Sequence, residues 1–442
     1  MLPRLPSANL RALRPLNARA AAVVPALRQL PAAHRAAVQF SSHREYSSES
    51  EHKQPKWITF NNAVVCAIAF VLTKQGTEYV LEKCFSKKAP PEGSSAALSK
   101  LAVPETIPHA DYESEESKPR YYTATQEPMH KRMEEFVLDL QNRLVTALES
   151  LEPAQTKFVR DRWEREDGKG YGISCVLQGG EVFEKAGVNV SVIEGTLTPG
   201  QLKSMRDRNP QARKALSSGE YDFRVAGISV VVHPRNPFAP TAHKNFRRFE
   251  VYRKGAGSEP VMAWFGGGAD LTPAYLFEDD VRHFHRTLKI ACDAHDPSYY
   301  PRFKEWCDTY FTIVHRNETR GVGGIFFDDL EDRAPEELFR FVYDAGNAFI
   351  KAYVPLIAKR MRTPYSQRER EWQLVRRGHY AEFNLVYDRG TKFGLMTPGA
   401  RIESILMSLP LTARWEYMNQ PEPGSAEDSL LQCVRKSRNW VE

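Results

Sequence analysis

His233–Val251 reads HPRNPFAPTAHKNFRRFEV, and the fold turns on what lies to either side of it. Upstream, VAGISVVV runs into the first histidine as an apolar strand; downstream, FRRFEV alternates as a second strand. Between them Pro234, Pro237 and Pro240 each fix φ, so the connection is a stiff loop and the two strands form a hairpin. Alternation along the second strand puts His243, Asn245 and Arg247 on one face. A base, an amide and a guanidinium in one row suit an anionic ligand. The plainer alternative is a rigid hairpin with two hydrogen-bonded histidines.

Moving outward, YGISCVLQ, EVFEKAGVNVSVIEG and VMAWFGGG read as further strands, with Gly179–Gly180 as a hairpin turn. PMHKRMEEFVLDLQNRLVTALESL reads as an amphipathic helix before them. After them the period changes. EDDVRHFHRTLKIACDAH, YYPRFKEWCDTYFTIVHRNETR, PEELFRFVYDAGNAFIKAYVPLIAKRM and RIESILMSLP read as helices, interrupted by short strands at GGIFFDDL and AEFNLVYD. Consecutive strands followed by helices predict an α+β fold: a large, mostly antiparallel sheet flanked by helices, in a single domain.

That domain is expected to occupy residues 120–442. Residues 1–44 hold seven Arg, no Lys and no acid, between Ala, Leu and Ser. This is the composition of a mitochondrial transit peptide, placed at 1–50. AVVCAIAFVL, Ala63 to Leu72, is too short to span a bilayer, so residues 51–85 are read as an apolar sorting or anchor segment. Residues 86–119, rich in Pro, Ser, Lys and Glu, are read as a disordered linker. The chain has 61 basic and 55 acidic residues; without the seven N-terminal Arg the balance is 54 to 55, which excludes nucleic-acid binding by bulk charge. The six cysteines form no C-x-x-C pair, so zinc and iron–sulfur spacings are absent and buried free thiols are expected.

WFGGGADLTP, Trp264 to Pro273, has three glycines in a row but not the dinucleotide-binding spacing. Glycines allow close backbone approach, and Asp270 closes the strand as a site carboxylate or as a turn or helix cap. YDRGTKFGLMTPGARIES gathers Asp388, Arg389 and Arg401 around Gly390, Gly394 and Gly399. Gly399 and the start of the following helix could receive a carboxylate, with Arg401 as a bidentate partner. His233, His243, His285 and His315 lack a close ligand spacing, and a histidine metal site assembled in three dimensions stays open.

HPRNPFAPTAHKNFRRFEV, WFGGGADLTP, HFHRTLK, GGIFFDDL, EFNLVYDRGTKFGL and RIESILMSLPLTARWEY together resemble the oxygen-dependent coproporphyrinogen III oxidase family, over roughly residues 120–442. The resemblance implies oxidative decarboxylation of two propionates of coproporphyrinogen III to vinyls, giving protoporphyrinogen IX in haem synthesis. It implies O2 as co-substrate and no metal or organic cofactor. It marks His243 as proton donor, with Asp270, Asp388 and Arg389 in the same cleft. Ser229, Asn245, Phe246, Arg247, Gly399, Ala400 and Arg401 match substrate-contacting positions. At Ala400 a glycine or serine would be expected, and alanine keeps only a backbone contact. The resemblance also implies a homodimer formed through residues 176–185 and about 380–416. It implies a place in the mitochondrial intermembrane space, with peripheral association to the inner membrane. The competing expectations are a non-catalytic mitochondrial porphyrin carrier and a histidine metal oxygenase.

Overall fold

The computed structural model describes residues 118–442 apart from 258, 397 and 398. The transit peptide, the apolar segment and all but the end of the linker lie outside the described residues.

Seven strands form one sheet: β1 (Val159–Glu164), β2 (Gly170–Gln178), β3 (Phe183–Thr196), β4 (Tyr221–Pro234), β5 (Thr241–Arg253), β6 (Met262–Thr272) and β7 (Gly324–Leu330). Their order in space is their order in sequence, and every pair is antiparallel. The expected α+β sheet is what the chain builds. The proline loop joins β4 to β5, where Val231 faces His243 and Ser229 faces Asn245.

The two faces of this sheet differ. One carries Val188 and Val190, Ile228 and Val230, Phe246, Phe265 and Ala269, all buried. Against it pack helix α1 (Met129–Glu149), through Met133, Phe136 and Leu140, and helix α6 (Pro335–Arg360), through Phe339, Val342 and Phe349. The other face carries Asn189, Ser229, His243, Asn245, Arg247 and Asp270, with Gly187, Gly227, Gly266 and Gly268 among them. Period-two alternation separates the two sets. Polar intrusions on the core face are Arg248, paired with Glu250, and Lys244, fully buried, whose Nζ donates to Gly346 O at 2.6 Å. Burial drives its pKa well below the ordinary lysine value.

Helices α2 (Pro199–Arg208) and α3 (Pro210–Ala215) link β3 to β4. Between β6 and β7 come α4 (Glu278–Asp293) and α5 (Tyr299–Tyr310). After α6, helix α7 (Gln367–Glu382) crosses beside the proline loop and runs into a π-turn at Phe383–Tyr387. Then follow α8 (Arg389–Met396), α9 (Ile402–Leu406) and α10 (Ala426–Arg435).

Two local expectations fail, and several elements went unread. AEFNLVYD is helix and π-turn, not strand, because Phe383 is buried while Leu385 and Val386 are about half exposed; the apolar residues that matter recur at helical, not alternating, spacing. The helix starting at Tyr299 stops at Tyr310, so His315 sits in a 3-10 turn, Val314–Arg316, rather than ending a helix. Pattern reading also passed over β1, α2, α3, α7, α8 and α10. α7 buries Trp372, Val375 and Tyr380 among charged residues and carries little apolar periodicity.

Glycine is required where β6 meets β7. A Cβ on Gly268 would lie 2.4 Å from Ile325 O and 2.9 Å from Phe326 Cδ2, while one on Gly200, in α2, meets nothing within 4 Å. Gly268→Ala is therefore expected to cost about 1–3 kcal/mol of folding free energy, as overpacking does. Gly200→Ala should be neutral or slightly stabilising. Urea unfolding of both variants checks the difference; equal midpoints would show that β7 moves aside freely.

Candidate active site

A line of hydrogen bonds runs across β5 and β6 on the polar face. Arg247 Nη1 donates to Asn245 Oδ1 at 2.6 Å. Asn245 Nδ2 lies 3.3 Å from His243 Nε2, and His243 Nδ1 lies 2.8 Å from Asp270 Oδ1. Arg320 closes the line, donating through Nη2 to both Asp270 oxygens at 3.0 and 2.8 Å. An ionised Asp270 can only accept, so His243 carries its proton on Nδ1 and Nε2 receives the Asn245 amide. The sheet register makes the line possible: His243 pairs with Asp270, and Asn245 with Gly268.

Asp270 is in a strand and buried, so it caps neither a turn nor a helix. Burial alone would push its carboxyl up; Arg320 and the His243 hydrogen bond outweigh that and hold it below the ordinary carboxylate range. Arg320 is itself enclosed, with its guanidinium 4.1 Å from the Phe311 ring, 4.6 Å from Tyr380 and 4.9 Å from Phe383. Its Nη1 donates to Asn384 Oδ1 at 3.0 Å. Phe311 also meets the His243 ring edge-on at 5.8 Å. The His243 side chain keeps 16% of its surface exposed, enough for a ligand to reach it.

Asp328, at the end of β7, holds two of the expected arginines. Its Oδ1 accepts from Arg247 Nη2, and its Oδ2 from Arg389 Nη2 at 2.8 Å. Arg389 also lies 4.8 Å from the Tyr310 ring. Asp388 caps α8: its Oδ2 accepts from Thr391 N at 2.7 Å and Thr391 Oγ1 at 2.8 Å, and its Oδ1 from Tyr310 OH at 3.0 Å. Ser229 lies beside Asn245 on the same face.

Other expected residues lie elsewhere. The Phe246 side chain points to the opposite face and is wholly buried against Phe327, so only its main chain borders the cleft. Arg401 pairs with Asp161 on edge strand β1, four strands from His243, or about 19 Å at the usual strand spacing. Gly399 has φ +71° in the exposed connection before it, and Ala400 follows half-buried. α9 beyond them lies across β2 and β3, with Ser404 Oγ 2.8 Å from Ser174 Oγ and Ser404 O accepting from Asn189 Nδ2 at 3.1 Å.

The four histidines do not converge. His233 Nε2–H donates to Ser408 O at 3.0 Å and Nδ1 lies 3.2 Å from Thr241 Oγ1. His285 is held by Tyr300 OH at 2.8 Å and Val322 O at 3.1 Å. His315 is held by Tyr387 OH and Glu382, each at 2.7 Å. Burial drives both His233 and His285 down to about 3, so both are neutral braces. Among the described residues no three of His, Cys, Asp and Glu gather as a metal-binding group.

Sequence reasoning missed Arg320, Asp328, Tyr310 and Phe311. Asp328 left a trace, an acid closing the apolar run GGIFF. Arg320 left none, because its partner is fifty residues away.

The profile of the family described as coproporphyrinogen III oxidase matches residues 132–440. The chain is 55% identical over 315 residues to the oxygen-dependent coproporphyrinogen-III oxidase of Drosophila melanogaster, covering 71% of this chain and 79% of that one. It is 52% identical over 313 residues to the human mitochondrial protein of that name, covering 71% and 67%. It is 47% identical over 315 residues to the one from Francisella tularensis, covering 70% and 98%.

Arg320→Met would leave Asp270 buried beside one imidazole, at an expected cost of about 3–5 kcal/mol near neutral pH. In the parent, Asp270 has its folded pKa depressed, so its contribution is present at neutral pH and fades as pH falls through that value. In the variant, burial raises the folded pKa above the unfolded one, so acidification should narrow the stability gap. Urea titrations at about pH 7 and pH 5 check this; a gap that is absent or widens in acid would show that Arg320 does not hold the carboxylate.

Proposed function

Because the chain belongs to the coproporphyrinogen III oxidase family, we propose that it converts two propionates of coproporphyrinogen III to vinyls with O2. The products are protoporphyrinogen IX, CO2 and H2O2, a step of haem synthesis. The observation that carries the reading at the level of residues is the line Arg247–Asn245–His243–Asp270–Arg320 on the open face of the sheet.

The chemistry balances as follows. Each propionate loses CO2, one side-chain proton and two electrons, and a C=C bond forms. O2 takes the two electrons and two protons to become H2O2, so one net proton is drawn in per propionate. The two electrons come from the propionate side chain; the electron-rich pyrrole it is attached to eases their loss, and the macrocycle itself stays reduced. The protein has to bind carboxylates, hold the side chain in place and move protons. Arg247 and Arg389 are the carboxylate partners nearest His243, and guanidinium suits bidentate carboxylate contact. Asp328 keeps the two side by side. Arg401, at the far end of the polar face, is a candidate for another carboxylate of the same macrocycle. Ser229, Asn245 and the main chain at Phe246, Gly399 and Ala400 complete the substrate surface in this proposal.

His243 takes the proton-transfer role. Asp270 fixes its Nδ1–H, and Nε2, once the Asn245 amide gives way to the substrate, accepts and returns a proton at the cleft. Asp388 acts at one remove, setting α8 and with it Arg389. His233 braces the proline loop and has no part in proton transfer.

The relatives named mitochondrial support mitochondrial placement, as does the Arg-rich, acid-free N-terminus. Within the organelle we assign the intermembrane space, with peripheral contact to the inner membrane. The homodimer is supported by exposed Leu385, Val386, Met396, Leu411, Trp415, Tyr417 and Met418, an apolar concentration unusual for a surface. Residues 182–185 are buried within the chain itself and offer less to a partner. Sedimentation velocity at micromolar protein should show a dimer, and Val386→Asp should release monomers; a parent chain that sediments as monomer removes the proposal.

Aerobic incubation with coproporphyrinogen III, followed by mass analysis of the porphyrins, should show loss of two CO2 and four hydrogens. Unchanged mass with tight binding would mark a carrier. His243→Ala should lower turnover about 10²–10⁴-fold while leaving the melting temperature nearly unchanged. Normal turnover in that variant would remove His243 from the chemistry.

A further inference from the structure

Behind the His243–Asp270 pair is a small cavity that the proposed chemistry does not use. Its walls are the proline loop at Ala239, the threonines Thr241 and Thr272, and α7 at Arg376, Arg377 and Tyr380. Thr241 and Thr272 are register partners one pleat along from His243 and Asp270, so the cavity shares their face of the sheet. It has room for about one water-sized molecule.

Four of the wall residues each hold a buried polar atom with no hydrogen-bond partner in the protein: Thr272 Oγ1, Arg376 Nε, Arg377 Nε and Tyr380 OH. The two Nε–H groups can only donate, and the two hydroxyls can. Gln373, also in the wall, has spent its capacity elsewhere: Nε2 donates to Pro234 O and Asn236 O, and Oε1 accepts from Arg370. The wall therefore offers donors in excess. A water molecule could accept from the two Nε–H groups and donate to the two hydroxyls, so hydrogen bonding alone admits water or an anion, and the charge around the cavity decides between them.

The charge around the cavity is also unbalanced. Arg377 shares Glu184 with Arg370 and, at 4.0 Å, with Arg235. Arg376 shares Glu318 with His379. Arg320, over the Tyr380 ring, has Asp270. Five guanidiniums thus face three carboxylates, and three of the five, Arg320, Arg376 and Arg377, are almost wholly buried. Buried cations without matching anions are costly, and a bound anion is the simplest compensation.

We propose that this cavity binds one small monovalent anion of the halide class, chloride under physiological conditions. The anion accepts from the arginine and hydroxyl donors and offsets the guanidinium excess behind the active site. A halide is only slightly wider than water and can accept from the guanidinium and hydroxyl donors alike, which fits both the size of the cavity and the guanidinium excess around it.

The full chain serves for the test. Crystals soaked in bromide should show an anomalous peak within hydrogen-bond distance of the Arg376 and Arg377 side chains. In thermal melts at fixed ionic strength, replacing gluconate by chloride should raise Tm with saturation, by roughly 2–4 °C at about tenfold over the dissociation constant. Arg377→Lys keeps a cation for Glu184 but loses the Nε–H, and should weaken chloride about tenfold or more. Thr272→Val, which removes one donor, serves if that variant does not fold. No bromide peak, or a peak only at molar bromide, together with equal melts in chloride and gluconate, would overturn the proposal and leave the cavity to water. None of these readouts depends on turnover, so the proposal can fail while the catalytic reading stands, and the reverse.

Discussion

Asp270 and Arg320 form an ion pair with almost no exposure to solvent, and the site is arranged around it. Isolated, either charge would be expensive at that depth; together, with two charge-assisted hydrogen bonds, each makes the other tolerable. The pair does three things at once. It ties β6 to the segment that follows α5. It draws Phe311, Tyr380 and Phe383 around the guanidinium, which brings the end of α7 and its π-turn over the sheet. It also sets the tautomer of His243, because a carboxylate that only accepts forces the imidazole proton onto Nδ1. Nε2 of His243 is thus oriented by a charge pair that lies behind the open face of the sheet.

The sheet provides the second constraint. Its core face is filled by two long helices, and its other face is kept low by glycines among short polar side chains. A broad macrocycle could not approach a surface of large residues. The helices that follow the sheet do not cover the middle of this face: α9 lies over β2 and β3, and the turn after α7 lies over β6 and β7. What remains between them is the strip bearing Ser229, Asn245 and Arg247.

How much of this the sequence disclosed follows from the range of each interaction. The strands from β2 to β6 were legible because each pairs with its neighbour in sequence, and alternation along a strand assigns faces directly; edge strand β1, VRDRWE, is polar and mostly exposed and left no such signal. The same alternation located His243, Asn245 and Arg247 on one face; Phe246, expected among the substrate contacts, is one step out of phase, and its side chain belongs to the other side. The partners of those residues were not legible. Arg320 and Asp328 come from segments that reach the sheet only after two helices, and no local pattern signals a distant ion pair. Helix α7 was hidden by its charges, several of which, such as Arg377 against Glu184, are buried by pairing rather than exposed. AEFNLVYD misled because Phe383, Leu385 and Tyr387 mimic alternation while the chain is wound as a helix.

The proline loop has a further consequence, one that concerns the unfolded chain. Its carbonyls are taken up by side chains from elsewhere: Pro234 O by Gln373 and Arg377, Asn236 O by Gln373, Pro240 O by Tyr353. Three of its residues have no N–H to satisfy. Those same prolines restrict the disordered chain before it folds, so the entropy surrendered on ordering this hairpin is smaller than for an ordinary loop of its length. Part of the positional accuracy of His243 is therefore present as a narrowed conformational ensemble in the unfolded polypeptide, ahead of any contact that the folded protein makes.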